Sequence, residues 1–372
     1  MTSPDDSPPF SLARWFESTP RPAAVLCTAV FLLYLPSLFG GFVLDDLRGL
    51  RCFESYRRGH RDRLDLYRFL RGPEDNRQAR ADGRYPWWLG EDVRYLHFRP
   101  LAERFLYAEY LLFGRWAPGY RLVALTLYMA AVVGVWRLFA TLAGDARTAR
   151  WAALIFAVAA GHAVPVAFIS AHCDVIALTL SAAAALGTAR FVAGAAGVGT
   201  LAVAAACYAA GLFAKEAVLP AAVAPVCWAL VFGRFPAAGR RAASALALLA
   251  AIGAAWLTLY TARGYGCNAE AMLDPLHAPG EYLAALPARI VLLLGSWLVP
   301  LNPFLFWLNP RWTPWLPAYT AALALALAAA VVSCIRHHRR EPAVRAMALW
   351  AAAFLPLLCL LYTSDAADDL LC

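Results

Sequence analysis

The sequence predicts an all-α fold, a polytopic bundle of about nine to ten transmembrane helices with a long polar outer loop after the first. Three observations predict it. The chain is 61% hydrophobic and only 16% charged, with a mean hydropathy of +0.55, a balance that a soluble globular domain does not carry. Apolar runs recur at the length a helix rising about 1.5 Å per residue needs to cross a hydrocarbon core roughly 30 Å thick. The runs are continuous stretches of Ala, Leu and Val, whereas a closed barrel needs short alternating segments.

Residues 1–21 are polar and Pro-rich, and Arg14 and Arg21 stand just before the first span. The positive-inside rule holds this segment in the cytoplasm. The membrane domain then covers 22–358. Its first span, 22–42, has no small-residue cleavage motif and reads as a retained anchor rather than a signal peptide. The outer loop 43–118 opens on Asp45 and Asp46 and mixes arginines with acids and aromatics. A second span over 120–142 leads to a turn with Arg147 and Arg150, which suit the cytoplasm. The third span, from Trp151, breaks over 162–174 and resumes as a fourth over 175–191. Spans five (200–213) and six (218–231) flank Lys215 and Glu216, and Arg234, Arg240 and Arg241 mark the next inner turn. A seventh span over 243–261 is followed by a second outer loop, 262–287. The run 290–308 is interrupted by Pro300, Asn302 and Pro303, and a further span over 318–335 ends in Arg336, His337, His338, Arg339 and Arg340. That basic cluster belongs inside, which favours a re-entrant insertion for 290–308. A last apolar run begins near Ala346.

The net charge of +8 does not point to nucleic acid, because the arginines lie in loops between apolar runs and form no basic helix with interleaved stacking residues. Lys215 is the only lysine, which together with the abundant alanine points to a GC-rich genome. Of nine cysteines, Cys27, Cys207, Cys227 and Cys334 sit in apolar runs as small hydrophobes. None has zinc spacing. Cys52 and Cys267 fall in loops assigned to the same outer face, where a disulfide is conceivable in an oxidising compartment.

Asp45 and Asp46 are the residues that most invite a chemical reading. They follow the first span directly, at the depth of the outer head groups. A carboxylate there can act as general base toward an acceptor hydroxyl, or hold a divalent cation against a phosphate leaving group. It can also be a solvated stop at a helix end.

The run Phe-Val-Leu-Asp-Asp ending at Asp46, the His-Phe-Arg-Pro-Leu at 97–101 and Tyr120-Arg121 resemble landmarks of the GT-C membrane glycosyltransferases. Further matches are Leu154-Ile-Phe-Ala-Val, His162, Val166, Phe168-Ile-Ser and Asp174. These are similar to segments of the O-mannosyltransferases that carry tetratricopeptide repeats, and of their bacterial relatives. Ala214-Lys215-Glu216 with Pro220, Asp274-Pro275, the run ending at Leu301, and Trp350 with Leu355-Pro356 extend the resemblance over nearly the whole chain. It implies transfer of a sugar, a hexose such as mannose, from a polyprenyl-phosphate donor. The acceptor would be a protein hydroxyl or a cell-envelope glycan on the outer face of a bacterial plasma membrane. It implies Asp45 or Asp46 as catalytic base or as ligand of a divalent cation, Mg2+ or Mn2+. Arg99, His162 and Lys215 would meet the donor phosphate, and Asp174, Glu216 and Arg121 would support them. The chain departs from the family at Ala159-Ala160 and Val164, where many relatives carry His-Pro and then Glu, and at His172, where Arg is common. These departures imply a divergent acceptor or lost activity.

Two other readings stand beside the enzyme, the first suggested by those departures from the resemblance. A GT-C-like protein without activity would keep the fold and lose the chemistry. A transporter would show internal repeats or paired broken helices with polar groups at mid-membrane, whereas here the polar residues gather at outer helix ends. Residues 359–372, which include Tyr-Thr-Ser-Asp-Ala-Ala-Asp-Asp, resemble a translated sequencing adapter, so native sequence is expected to stop near Leu358, and in the resembling proteins a repeat domain of paired helices often follows that point.

Overall fold

The computed structural model describes residues 12–83, 91–143, 145–219, 238–267 and 313–338, with isolated positions between 226 and 291. These residues form a nearly all-α bundle. A short α1 (Leu12–Ser18) precedes α2 (Pro22–Tyr34), which starts on a proline suited to the first helical turn and runs on as a 3-10 turn, Leu35–Phe39. After the polar segment 43–116 come α6 (Ala117–Ala143), α7 (Ala146–Val158), α8 (Ala163–Ala167), α9 (His172–Val192), α10 (Val198–Ala214), α11 (Ala238–Ala262) and α12 (Leu316–His338).

Among the described residues, four helical stretches are long and apolar enough to cross a membrane: Pro22–Phe39, Ala117–Leu142, Ile169–Val192 and Gly239–Ala262. Two shorter apolar stretches, Val198–Ala214 and Leu316–Ala329, accompany them. Large apolar side chains such as Leu32, Ile155, Val203, Leu257 and Leu325 face outward on these helices, as they do where the surrounding solvent is hydrocarbon. The expected spans at 218–231 and 290–308 and the run from Ala346 lie largely or wholly outside the described residues, as does the tail 359–372.

The helices pack through small residues. A side-chain carbon on Gly187 of α9 would stand 2.8 Å from the Ala204 Cβ of α10, and one on Gly134 of α6 would stand 3.2 Å from the Ala182 Cβ of α9. Such positions let backbones approach closely without a hydrophobic driving force. A second cluster, with Leu26, Val30, Tyr128, Val132 and Ala153 at its centre, joins α2, α6, α7 and α9.

The segment 43–116 is more ordered than the loop the sequence suggests. It holds α3 (Asp45–Arg57), β1 (Arg68–Leu70), α4 (Pro73–Ala81), β2 (Tyr95–Leu96) and α5 (Pro100–Phe113). After α11, β3 (Gly266–Cys267) completes an antiparallel sheet in the order β1-β2-β3, with Arg68 opposite Leu96 and Tyr95 opposite Cys267. Pairing of β3 with β2 puts the start of the second outer loop on the same side as the first. Cys52 is a free thiol that donates to the Leu64 carbonyl, so it forms no disulfide with Cys267. Buried Leu50, Phe53, Leu106 and Tyr110 share one apolar cluster with Tyr120 of α6, Ile176 of α9 and Leu212 of α10, which seats this segment on the bundle.

The break after the third span is also structured. Helix α7 stops at Val158, two 3-10 turns and α8 fill 160–171, and α9 begins at His172 rather than at Val175.

Candidate functional site

The chain leaves the 3-10 turn after α2 and bends sharply into α3. Leu44 at the bend has φ 44°, a region L residues rarely adopt. The bend is held from both sides, since the Asp46 amide donates 2.9 Å to the Val43 carbonyl and the Val43 amide donates 3.1 Å to Asp46 Oδ2. Asp45 and Asp46 therefore occupy the first turn of α3, where exposed backbone amides favour negative charge.

The two aspartates have different surroundings. Asp46 is buried, and its Oδ1 accepts from both the amide and the hydroxyl of Ser170, each at 2.8 Å. Both of its oxygens are engaged by the protein, tying α3 to the 3-10 turn before α9. Asp45 is half-buried and lines a cavity of about 140 Å³ together with Asp46, Arg48, Arg99, Asp174 and Lys215. The cavity wall is otherwise mainly apolar and aromatic, including Phe42, Phe53, Tyr67, Leu106 and Tyr120.

Lys215 follows the last turn of α10 in an extended conformation, with its amide still bonded to the Gly211 carbonyl at 2.9 Å. Its Nζ donates to Asp174 Oδ1, and Asp174 lies in the first turn of α9. Next to it Glu216 is buried and receives a two-pronged bond from Arg99, Nη2 to Oε1 at 2.7 Å and Nε to Oε2 at 3.2 Å. His97 Nδ1 stands 3.2 Å from the same Oε1. Burial opposes the charge on Glu216, but Arg99 and then His97 outweigh it and hold the carboxyl well below its ordinary range. Arg99 also lies beneath Tyr67, 5.3 Å from the ring centre.

The structure thus brings Asp45, Asp46, Asp174, Lys215 and the Arg99–Glu216 pair together. It does not bring His162 to them. His162 lies against the rings of Tyr128 and Phe156, with centroids 5.1 and 4.6 Å away. Burial pushes its imidazole down to about 4, so at neutral pH it offers no positive charge to a phosphate. Arg121 acts as a clamp, donating to the carbonyls of Gly40, Gly41 and Ala167 (2.9 Å from Nε). It pins the chain just before Asp45 to the end of α8.

Sequence reasoning passed over Ser170, Cys173, Tyr67 and His97. Of these, His97 and Ser170 gave a signal, through the runs 97–101 and Phe168-Ile-Ser that contain them. It also passed over a buried pair beside the cavity, His172 Nδ1 and Glu109 Oε2 at 3.1 Å. His172, noted only as a replacement for arginine, has this carboxylate as its partner.

Among the described residues, no three His, Cys, Asp or Glu side chains converge to hold a metal ion. Because Asp46 already accepts three protein donors, the aspartate pair does not fit a two-carboxylate cation site. Asp45 is the less buried member of the pair and lines the cavity. No family model, curated protein or solved structure matches the chain.

Proposed function

We propose that the chain is a multi-pass membrane glycosyltransferase that moves a sugar from a polyprenyl-phosphate donor to a hydroxyl acceptor, a protein or a cell-envelope glycan, on the outer face of a bacterial plasma membrane. The convergence of Asp45, Asp174 and Lys215, from three separate elements, in one apolar-walled cavity carries this reading. A carboxylate and an ammonium facing one space suit a reaction in which a proton is taken from one oxygen while charge develops on another.

In the proposed step, the acceptor hydroxyl attacks the anomeric carbon of the donor sugar. Asp45 takes the hydroxyl proton as the new C–O bond forms, and the bond to the phosphate oxygen breaks with its electron pair leaving on the phosphate. Lys215 faces that charge, and Asp174 fixes the ammonium. Glu216 and Arg99 brace the neighbouring backbone, and Asp46 and Arg121 hold the bend that aims Asp45. Ser170 already engages the Asp46 carboxylate and Lys215 that of Asp174, so leaving-group stabilisation is assigned to Lys215 rather than to a cation.

The distribution of charge supports the outer placement. Buried Asp46, Arg99, Glu109, Arg121, Lys215 and Glu216 cluster at one end of the bundle. Arg147, Arg150 and Arg241 stand at the other end, where Arg147 pairs with Glu17 and Arg241 donates to the Phe191 carbonyl. Arginine-rich ends stay in the cytoplasm. We further assign α7, α10 and α12 and the apolar runs outside the described residues to the membrane, for about nine to ten spans in all.

The test is transfer of radiolabelled mannose from polyprenyl-phosphate mannose by the chain in nanodiscs, comparing wild type with Asp45→Ala and Asp46→Ala. Product from wild type and none from Asp45→Ala is expected. Equal product from all three would remove the acidic pair from the mechanism.

A further inference from the structure

Beyond the first cavity lies a second, larger space of about 1100 Å³, which shares Asp45, Arg48, Leu66 and Phe69 with it. Six arginines line it, Arg48, Arg51, Arg61, Arg63, Arg68 and Arg71, against four aspartates. Asp65 is taken up by Arg71 and Arg68, and Asp45 stands at the junction of the two spaces. Arg68 also donates 2.5 Å to the Tyr265 hydroxyl, and Arg61 reaches Cys52 Sγ at 3.7 Å. Arg51 and Arg63 are exposed and have no ion partner among the described residues. The lining therefore carries surplus positive charge against Asp62 and Asp75, the two remaining acids.

We infer that this space is the acceptor site and that it takes an acidic saccharide, a glycan chain bearing carboxylates. This rests on the reading of Asp45 as the base of the transfer. Position argues for the acceptor, because Asp45 must face both reactants, and the smaller apolar-walled cavity with Lys215 suits the lipid-phosphate side. Charge argues for an anion, since planar guanidinium groups match carboxylates in a two-pronged geometry. Shape and lining argue for a saccharide rather than an acidic peptide. Ten of the sixteen lining residues are charged and only Leu44 and Leu66 are aliphatic, which leaves little surface to receive peptide side chains. The site accounts for an arginine-dense stretch, 57–63, that the transfer chemistry itself does not use.

The experiment measures binding without transfer. Tetragalacturonate and neutral maltotetraose are titrated calorimetrically into the full chain in nanodiscs at low and high salt. The acidic tetramer is expected to bind at least about tenfold more tightly than the neutral one, less so at high salt. Arg51→Gln combined with Arg63→Gln is expected to weaken it about tenfold, and the Lys pair at the same positions to restore it. Equal binding of the two tetrasaccharides overturns the inference. So does a glutamate tetrapeptide binding as tightly as tetragalacturonate, or displacement of the saccharide by polyprenyl phosphate in a manner that depends on Arg51 and Arg63. Selective binding without any sugar transfer in the mannose assay would leave the acidic-saccharide site standing while the proposed transfer falls, and transfer without selective binding would do the reverse.

Discussion

At the scale of single residues, adjacent aspartates of identical chemistry have been given different work by the turn that presents them. Asp46 accepts from Val43 and twice from Ser170, so Asp46→Asn leaves donors facing an amide and should lower stability by about 1–3 kcal/mol. Asp45→Asn should cost less stability than Asp46→Asn and cut transfer by roughly 100-fold or more. Thermal melts and transfer rates of both variants separate these outcomes, and equal melts would contradict the division. The buried Arg99–Glu216 pair makes a second prediction. Glu216→Ala strands a guanidinium that is 3% exposed, which should cost about 3–5 kcal/mol, and a double Arg99→Ala, Glu216→Ala variant should lose less than the two single losses added. The pair and the acids of α5 respond oppositely to pH. Glu216 is held low, so its contribution is present above the ordinary carboxyl value and fades only as pH falls well below it. Burial raises Glu109, against the bond from His172, so its contribution is present at low pH and is lost as pH rises through the raised value, from above 4.5 upward. Melting temperatures across acid to neutral pH should decline on that account, and Glu109→Gln should flatten the decline.

At the scale of elements, the tight contact between α9 and α10 rests on the absence of a side chain at Gly187. Gly187→Val should destabilise the bundle by about 1–3 kcal/mol, while Gly161→Ala, where nothing lies within 4 Å, should be near neutral. A detergent melt of each reads the difference directly. The same elements mark how far the sequence was legible. Apolar runs of spanning length identified α2, α6, α9 and α11 because the hydrocarbon requirement acts on composition alone, with ends set within a few residues by prolines and arginines. The α8 segment and its flanking 3-10 turns were legible only as a break, since their geometry depends on Arg121 and Asp46 reaching in from distant elements. The sheet that joins the two outer loops was not legible, because β2 and β3 are two residues each and carry no alternation to detect.

At the scale of the whole molecule, the protein has one end rich in buried, paired charge and another rimmed by arginines, with apolar helix surface between them. From sequence, Asp45, Asp46, Arg99, Lys215, Asp174 and Glu216 were joined as one site through the GT-C resemblance, and the fold places the first five on one cavity with Glu216 bonded to Arg99. The same resemblance joined His162 to them, but it lies against Tyr128 and Phe156, a placement that nothing in its sequence neighbours announces. The central claim is that Asp45 acts from the outer face on a lipid-carried sugar. It is tested most directly in sealed right-side-out vesicles containing polyprenyl-phosphate mannose, with a membrane-impermeant acceptor added outside. The account predicts mannosylated acceptor with wild type and a loss of roughly 100-fold or more with Asp45→Asn. Product at the wild-type rate from Asp45→Asn, or product only when the acceptor is sealed inside, would contradict it.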